Sequence, residues 1–161
     1  MLTNCKYDNV RLKNFTNCNI GLINEILLWR NHIDVRLNSK NIEIIDIDEH
    51  YKFICSLKED LSKLYFVVQF EKLNVGVISF THIHKKSAYI GYYKNPYIAT
   101  KGIGNILIET AKYYASNILL INEVYMEVLK KNSISKHCIL KAGFQKINKK
   151  NNLIIYKLGL I

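Results

Sequence analysis

The chain has 161 residues, 49% hydrophobic and 22% charged, a balance that excludes a disordered polymer and fits one globular domain. A chain of this length buries about 68–70% of its unfolded surface, enough for an ordinary core. Its 23 Lys and Arg against 13 Asp and Glu leave a net charge of +10, which favours a polyanion: nucleic acid, phospholipid or a phosphorylated small molecule. A solvated basic surface is the plainer reading of the same number.

Residues 7–15, YDNVRLKNF, read as a first strand. Residues 23–32, INEILLWRNH, place Ile23, Ile26, Leu27 and Arg30 at helical spacing. A polar, less regular stretch follows. In DIDEHYKFICSLKED, Asp46 caps a helix and Glu49 stands three residues on, the pattern of a capping box; Phe53, Ile54 and Leu57 form its apolar stripe. KLYFVVQF, VGVISFTHIH and AYIGYYK are three strands, joined by turns at EKLN and KKS. A turn at Gly102 and Gly104 opens a helix. EVYMEVL, residues 123–129, is a strand, and SISKHCILKAG a short helix stopped by Gly143. FQKINK and LIIYKLGL close the chain as a hairpin across KNN. The order β-α-α-β-β-β-α-β-α-β-β predicts a single α/β domain over residues 1–161, a mixed sheet with helices on both faces.

Cys5, Cys18, Cys55 and Cys138 form no CxxC pair, so neither a zinc site nor a disulfide framework is implied, and reduced thiols are expected. The polar start has no apolar h-region, and no apolar run reaches the roughly 18 residues of a spanning helix. A cytoplasmic protein without membrane contact is the expectation. His82-x-His84 offers two metal ligands with no third nearby, so no metal is expected.

The segment Tyr97-Ile98-Ala99-Thr100-Lys101-Gly102-Ile103-Gly104-Asn105 leads from a strand into a helix. The first N–H groups of a helix lack intrahelical partners and carry the positive end of its dipole. Glycines there let a phosphate approach closely, and Lys101 adds a cation. No GK[ST] follows, as a P-loop would need, and there is no GxGxxG.

With the aromatic strand before it and the strand, Asn132, short helix and Gly143-Phe144 after it, this segment resembles the GNAT acyltransferase superfamily. The phosphate motif of that superfamily is (Gln/Arg)-x-x-Gly-x-(Gly/Ala). Ala99, Gly102 and Gly104 fall on its three defined positions, and Ala99 departs from it. Because the motif acts mostly through backbone N–H groups, that departure removes one side-chain contact at most. The segment LLWRNH is similar to the WRN run of one branch. The resemblance spans about Tyr7 to Leu160. It implies a GNAT fold and acetyl transfer from acetyl-CoA to an amine, with residues 97–105, Asn132 and Ser135 at the cofactor. It also implies that Ala88–Tyr93 and Val124–Val128 splay apart around the pantetheine arm.

Direct attack of an amine on a thioester needs a neutral amine, a polarised carbonyl and a proton for the thiolate. Glu127, on the strand bordering the gap, is the candidate base; the alternative is an ion pair with a surface lysine. The tyrosine that the superfamily usually supplies as acid falls at Ile139. Tyr93, at the end of the strand entering the turn, is the candidate in its place, with Ser79 orienting water or substrate; departure of the thiolate without a dedicated acid stays open.

For the acceptor, Arg30 and Asn31 suit phosphate or sugar hydroxyls. His50 and Phe53 lie one helical turn apart. Tyr89 and Tyr93 share a strand face, and alternation puts Ser79, Thr81 and Ile83 on one face with His82 and His84 on the other. An aromatic, basic, hydroxyl-rich wall suits a nucleotide sugar. RNH, GVISFTHIHKKSAYIGYYKNPY and MEVLKKN resemble the nucleotide-sugar N-acetyltransferases of pseudaminic acid biosynthesis. That resemblance implies a UDP-linked 4-amino-4,6-dideoxy sugar as acceptor and a product destined for flagellin. Acetylation of protein N-termini or ribosomal proteins is the alternative activity, and a non-catalytic CoA- or nucleic-acid-binding module the alternative class. No RNP motif, Arg-rich tail or helix-turn-helix supports nucleic acid. The closing strand LIIYKLGL offers pairing across a homodimer.

Overall fold

Alternation along the central strands sorts their side chains onto two faces, and a helical layer covers each. The computed structural model describes residues 9–160. Its strands are β1 (Val10–Asn14), β2 (Leu64–Phe70), β3 (Leu73–His84), β4 (Ser87–Lys94), β5 (Glu123–Leu129), β6 (Gln145–Lys150) and β7 (Leu153–Gly159). They form one sheet in the order β1-β2-β3-β4-β5-β7-β6. The helices are α1 (Ile20–Asn31), α2 (Ile33–Arg36), α3 (Ile47–Ser56), α4 (Ile103–Asn117) and α5 (Ser133–Lys141). The element order agrees with the sequence reading, apart from short α2 and a 3-10 turn at Phe15–Asn17. The first strand begins at Val10; Tyr7, Asp8 and Cys5 lie outside the described residues.

Phe66, Val68, Ile78, Phe80, Ile90, Met126 and Val128 form the larger core with Ile106, Leu107 and Ile108 of α4 and Ile139 of α5. The opposite face carries Val67 and Val77, which pack with Phe15, Ile26, Trp29 and Ile54 beneath α1 and α3. Asp46 caps α3, and its reciprocal bond with Glu49 completes the capping box.

Two local features shape the middle of the sheet. At the end of β3 the pairing slips between Thr81 and His84, and His82 takes φ 51°. This bulge breaks strict alternation. Ile83 therefore packs with Phe80 against the larger core instead of sharing the face of Thr81. The second feature is the end of β4. Asn95 is buried; its Nδ2 donates to the Asn74 carbonyl and its N–H to the Val75 carbonyl, each at 2.9 Å. A Cβ at Gly76 would stand 2.5 Å from the Tyr93 carbonyl, so β3 and β4 approach as closely as backbone allows. The outgoing end of β4 is thus held to β3 and away from β5.

β4 and β5 pair in parallel through three rungs, the last being Tyr89 with Tyr125, and no rung joins them beyond it. The expected splay is present. β7 is paired on both sides, with β5 and β6, so the proposed dimer edge at LIIYKLGL is corrected: an inner strand has no free backbone edge to offer.

Candidate functional site

The split between β4 and β5 opens toward the start of α4. Gly102 is the N-cap, with φ 83° and ψ −3° and no side-chain cap bond. That left-handed turn favours glycine. A Cβ on Gly102 would meet no atom within 4 Å, so the space over the turn is open. The N–H groups of Ile103 and Gly104 stand at N1 and N2, where a helix has no internal acceptor, while that of Asn105 is 3.1 Å from the Gly102 carbonyl. Open space, bare backbone donors and the positive dipole end fit a pyrophosphate. Ile103 contributes backbone alone, since its side chain is buried in the core. Ile98 packs against the same core, and Ala99, Thr100 and Lys101 are exposed. Tyr97 is 64% exposed, and its ring lies edge-on to His32 at 5.4 Å. Asn132 caps α5 by accepting from the Ser135 N–H at 3.1 Å.

Beneath α1, the sheet presents a polar cluster beside the split. Tyr93 feels the Arg30 charge, and Tyr65 stands across the β2–β3 pairing from Ser79. Burial raises the Tyr93 phenol far above the ordinary tyrosine value, so it stays protonated. Burial also lowers the Arg30 pKa, opposed by Tyr93 and Tyr65, and the guanidinium stays charged. Arg30 Nη2 donates to the Asn41 carbonyl at 2.9 Å, whereas Nη1 is buried without a hydrogen-bond partner. A Cβ at Gly91 would lie 2.7 Å from Ser79 Oγ, so this glycine leaves room for the hydroxyl at the split.

Glu127 extends from β5 onto the same face, between buried Met126 and Val128, which point the other way. Its Oε2 accepts from Lys40 Nζ, and its side chain is 22% exposed against 62% for Lys40. The ion-pair reading of Glu127 is therefore realised, at the edge of the split, where the carboxylate remains accessible. Lys40 sits in the segment 37–46, which is laced down by Arg36 to the Ile42 carbonyl at 2.7 Å and by Arg30 to Asn41.

Several acceptor-side expectations change. His50 is 4% exposed and its Nε2 is 3.0 Å from the Ile23 carbonyl. It ties α3 to α1 instead of facing a ligand, because its face of α3 is the one buried against α1. Asn31 bonds the Ile45 backbone through both amide atoms, at 2.8 and 2.9 Å, so its side chain fastens the segment over the site. Phe53 is half-buried, edge-on to Tyr65 at 5.0 Å on the rim of the smaller core. Thr81, His82 and Tyr89 gather at the paired end of β4 and not at the split. The His82 and Tyr89 ring centroids are 5.5 Å apart, His82 Nδ1 is 3.3 Å from Thr81 Oγ1, and Tyr89 stacks on Tyr125. Among the described residues no group of three or more His, Cys, Asp or Glu is placed to hold a metal.

Sequence reasoning missed Lys40, which only a tertiary fold brings to Glu127, and Tyr65, whose strand position across from Ser79 carried the signal. Ile139, at the position where a tyrosine was sought, is fully buried in the core and offers no proton.

Three comparisons bear on the site. Residues 28–144 match the model of the acetyltransferase (GNAT) family. A relative from Campylobacter jejuni, acetyltransferase PseH, is 39% identical over 76% of this chain and 76% of its own. The crystal structure of Campylobacter jejuni N-acetyltransferase PseH in complex with acetyl coenzyme A superposes with a TM-score of 0.80 at 31% identity, covering 93% of this chain and 98% of that one. A Vibrio cholerae spermidine N-acetyltransferase, at 18% identity and TM-score 0.79 over 94% of each chain, shares the fold.

Proposed function

The chain belongs to the GNAT acetyltransferase family and uses acetyl-CoA, and we propose that it acetylates the 4-amino group of UDP-4-amino-4,6-dideoxy-N-acetyl-β-L-altrosamine, a step in pseudaminic acid biosynthesis. The sugar product then serves flagellin glycosylation. The observation that carries this reading is the Arg30 guanidinium, partly buried beside the split with one nitrogen unpartnered. Leaving a buried charged donor unpaired is costly, and a diphosphate would satisfy it.

Bound acetyl-CoA supplies a thioester carbonyl open to amine attack. The backbone N–H groups at the start of α4 hold its pyrophosphate, and the free edges of β4 and β5 hold the pantetheine amides. On the acceptor side, Arg30 meets the diphosphate. Glu127 Oε2 takes a proton from the acceptor ammonium, directly or through one water. Lys40 holds that carboxylate in place until the acceptor arrives. Ser79 and protonated Tyr93 orient the amine from the opposite wall. The closeness of the PseH relatives favours this acceptor over peptide amines or a binding-only role, and the enzyme acts in the cytoplasm.

UDP alone tests the recognition. It should inhibit competitively against the sugar and leave the acetyl-CoA KM unchanged. Absence of inhibition by millimolar UDP contradicts the nucleotide-sugar reading.

A further inference from the structure

Attack on the thioester breaks the C–S bond and places its electron pair on sulfur. A donor aimed at that sulfur has to stand at the split, on the side of the sheet from which the cofactor enters. On that side the walls are apolar: Ile90, Met126, Val128 and Ile139 are all buried hydrophobics. Polar groups there include Tyr92, Ser135 and the half-buried thiol of Cys138.

Tyr92 lies three residues past the last β4–β5 rung, where the strands have parted. Its hydroxyl is 2.8 Å from Ser135 Oγ in the first turn of α5, and either oxygen can donate. Ser135 is itself fixed, because its N–H bonds the Asn132 cap. A Cβ on Gly104 would be 3.8 Å from the Tyr92 ring, so the phenol lies beneath the phosphate cradle. The side chain thus spans from β4 to α5 beneath the cradle. We propose that Tyr92, held by Ser135, donates the hydrogen bond that stabilises the departing thiolate of acetyl-CoA. Its phenol can turn its proton to the sulfur while accepting from Ser135. Burial raises the Tyr92 pKa to about 12, opposed by the Ser135 bond and assisted by Cys138. The hydroxyl is therefore protonated throughout the neutral range and acts as a donor. Sulfur leaves as a thiolate, a weaker base than a phenolate, and takes its own proton from solvent.

This inference rests on acetyl transfer from acetyl-CoA and is independent of which amine accepts. Tyr92→Phe should lower kcat by about 10- to 100-fold, the range for losing one preorganised donor, with little change in the KM for acetyl-CoA. Calorimetry gives a readout apart from turnover. The native enzyme should bind CoA more tightly than desulfo-CoA, and Tyr92→Phe should erase that difference. Ile139 is one helical turn beyond Ser135 on α5, so Tyr92→Phe with Ile139→Tyr moves the hydroxyl to the facing wall and should recover part of the rate. A Tyr92→Phe enzyme with native kcat and an intact CoA preference over desulfo-CoA overturns the proposal, whether or not the double variant folds. If the native enzyme leaves the UDP-sugar untouched, the acceptor reading fails, while the CoA comparison still decides the role of Tyr92.

Discussion

The two faces of the split sheet differ in what they offer a ligand. Under α4 and α5, the strands carry Ile90, Met126 and Val128 into an apolar core, and the cofactor site we propose there is mainly backbone: a left-handed glycine, the first N–H groups of α4, and two strand edges without rungs. Under α1 and α3, the same strands carry Ser79, Tyr93 and Glu127, joined by Tyr65, Arg30 and Lys40. A backbone site tolerates change in the side chains around it. A side-chain site is redefined by each substitution. The first face is therefore the one expected to hold a shared cofactor, and the second the one that selects the acceptor.

Substitutions on each face sharpen that contrast. Glu127→Gln should have the largest effect, a loss of about 100-fold in kcat from removing the proposed base, with the acetyl-CoA KM unchanged. Full activity of this variant across the pH range would remove Glu127 from the mechanism. Arg30→Met should raise the acceptor KM by about tenfold or more, the worth of a charge-assisted hydrogen bond, and again spare acetyl-CoA. Gly102→Ala should do the reverse. Its cost comes from φ 83° and not from crowding, at about 1–2 kcal/mol, and it should raise the acetyl-CoA KM while sparing the acceptor KM. A Gly102→Ala enzyme that lost acceptor affinity instead would dissolve the division between faces.

The smallest effect concerns His50, which lies on the acceptor-side layer but binds α1. Burial lowers its pKa in the fold, opposed by the Ile23 hydrogen bond. The unfolded chain then takes up the proton first as pH falls. The contribution is intact above the ordinary histidine value of about 6.5 and is lost as pH falls below it toward the folded pKa. Thermal unfolding should show a steeper loss of stability from about pH 7 to about pH 5 in the native protein than in His50→Gln.

What the sequence disclosed follows from the range of the forces involved. The Asp46–Glu49 box, the Gly102 turn and the strand of residues 123–129 are local, and each was legible from spacing. The splay of β4 from β5 came through resemblance, while its cause, Asn95 gripping β3, depends on a contact across 21 residues. The bulge at His82 was hidden because VGVISFTHIH alternates well enough on paper, and a positive φ in a histidine has no compositional mark. The acceptor side was harder still. Asn31 and His50 have the chemistry of ligand residues, and only the fold shows their polar atoms engaged with Ile45 and Ile23 backbone. Lys40 meets Glu127 over 87 residues, beyond any pattern in a window.

The most direct measurement is thiol release from acetyl-CoA, followed in parallel with the UDP-linked 4-amino-4,6-dideoxy sugar, spermidine and a peptide with a free N-terminus. The account predicts saturable turnover with the sugar and an acetyl group on its 4-amino nitrogen, with spermidine and peptide near background. Turnover of spermidine or peptide with the sugar untouched would contradict it.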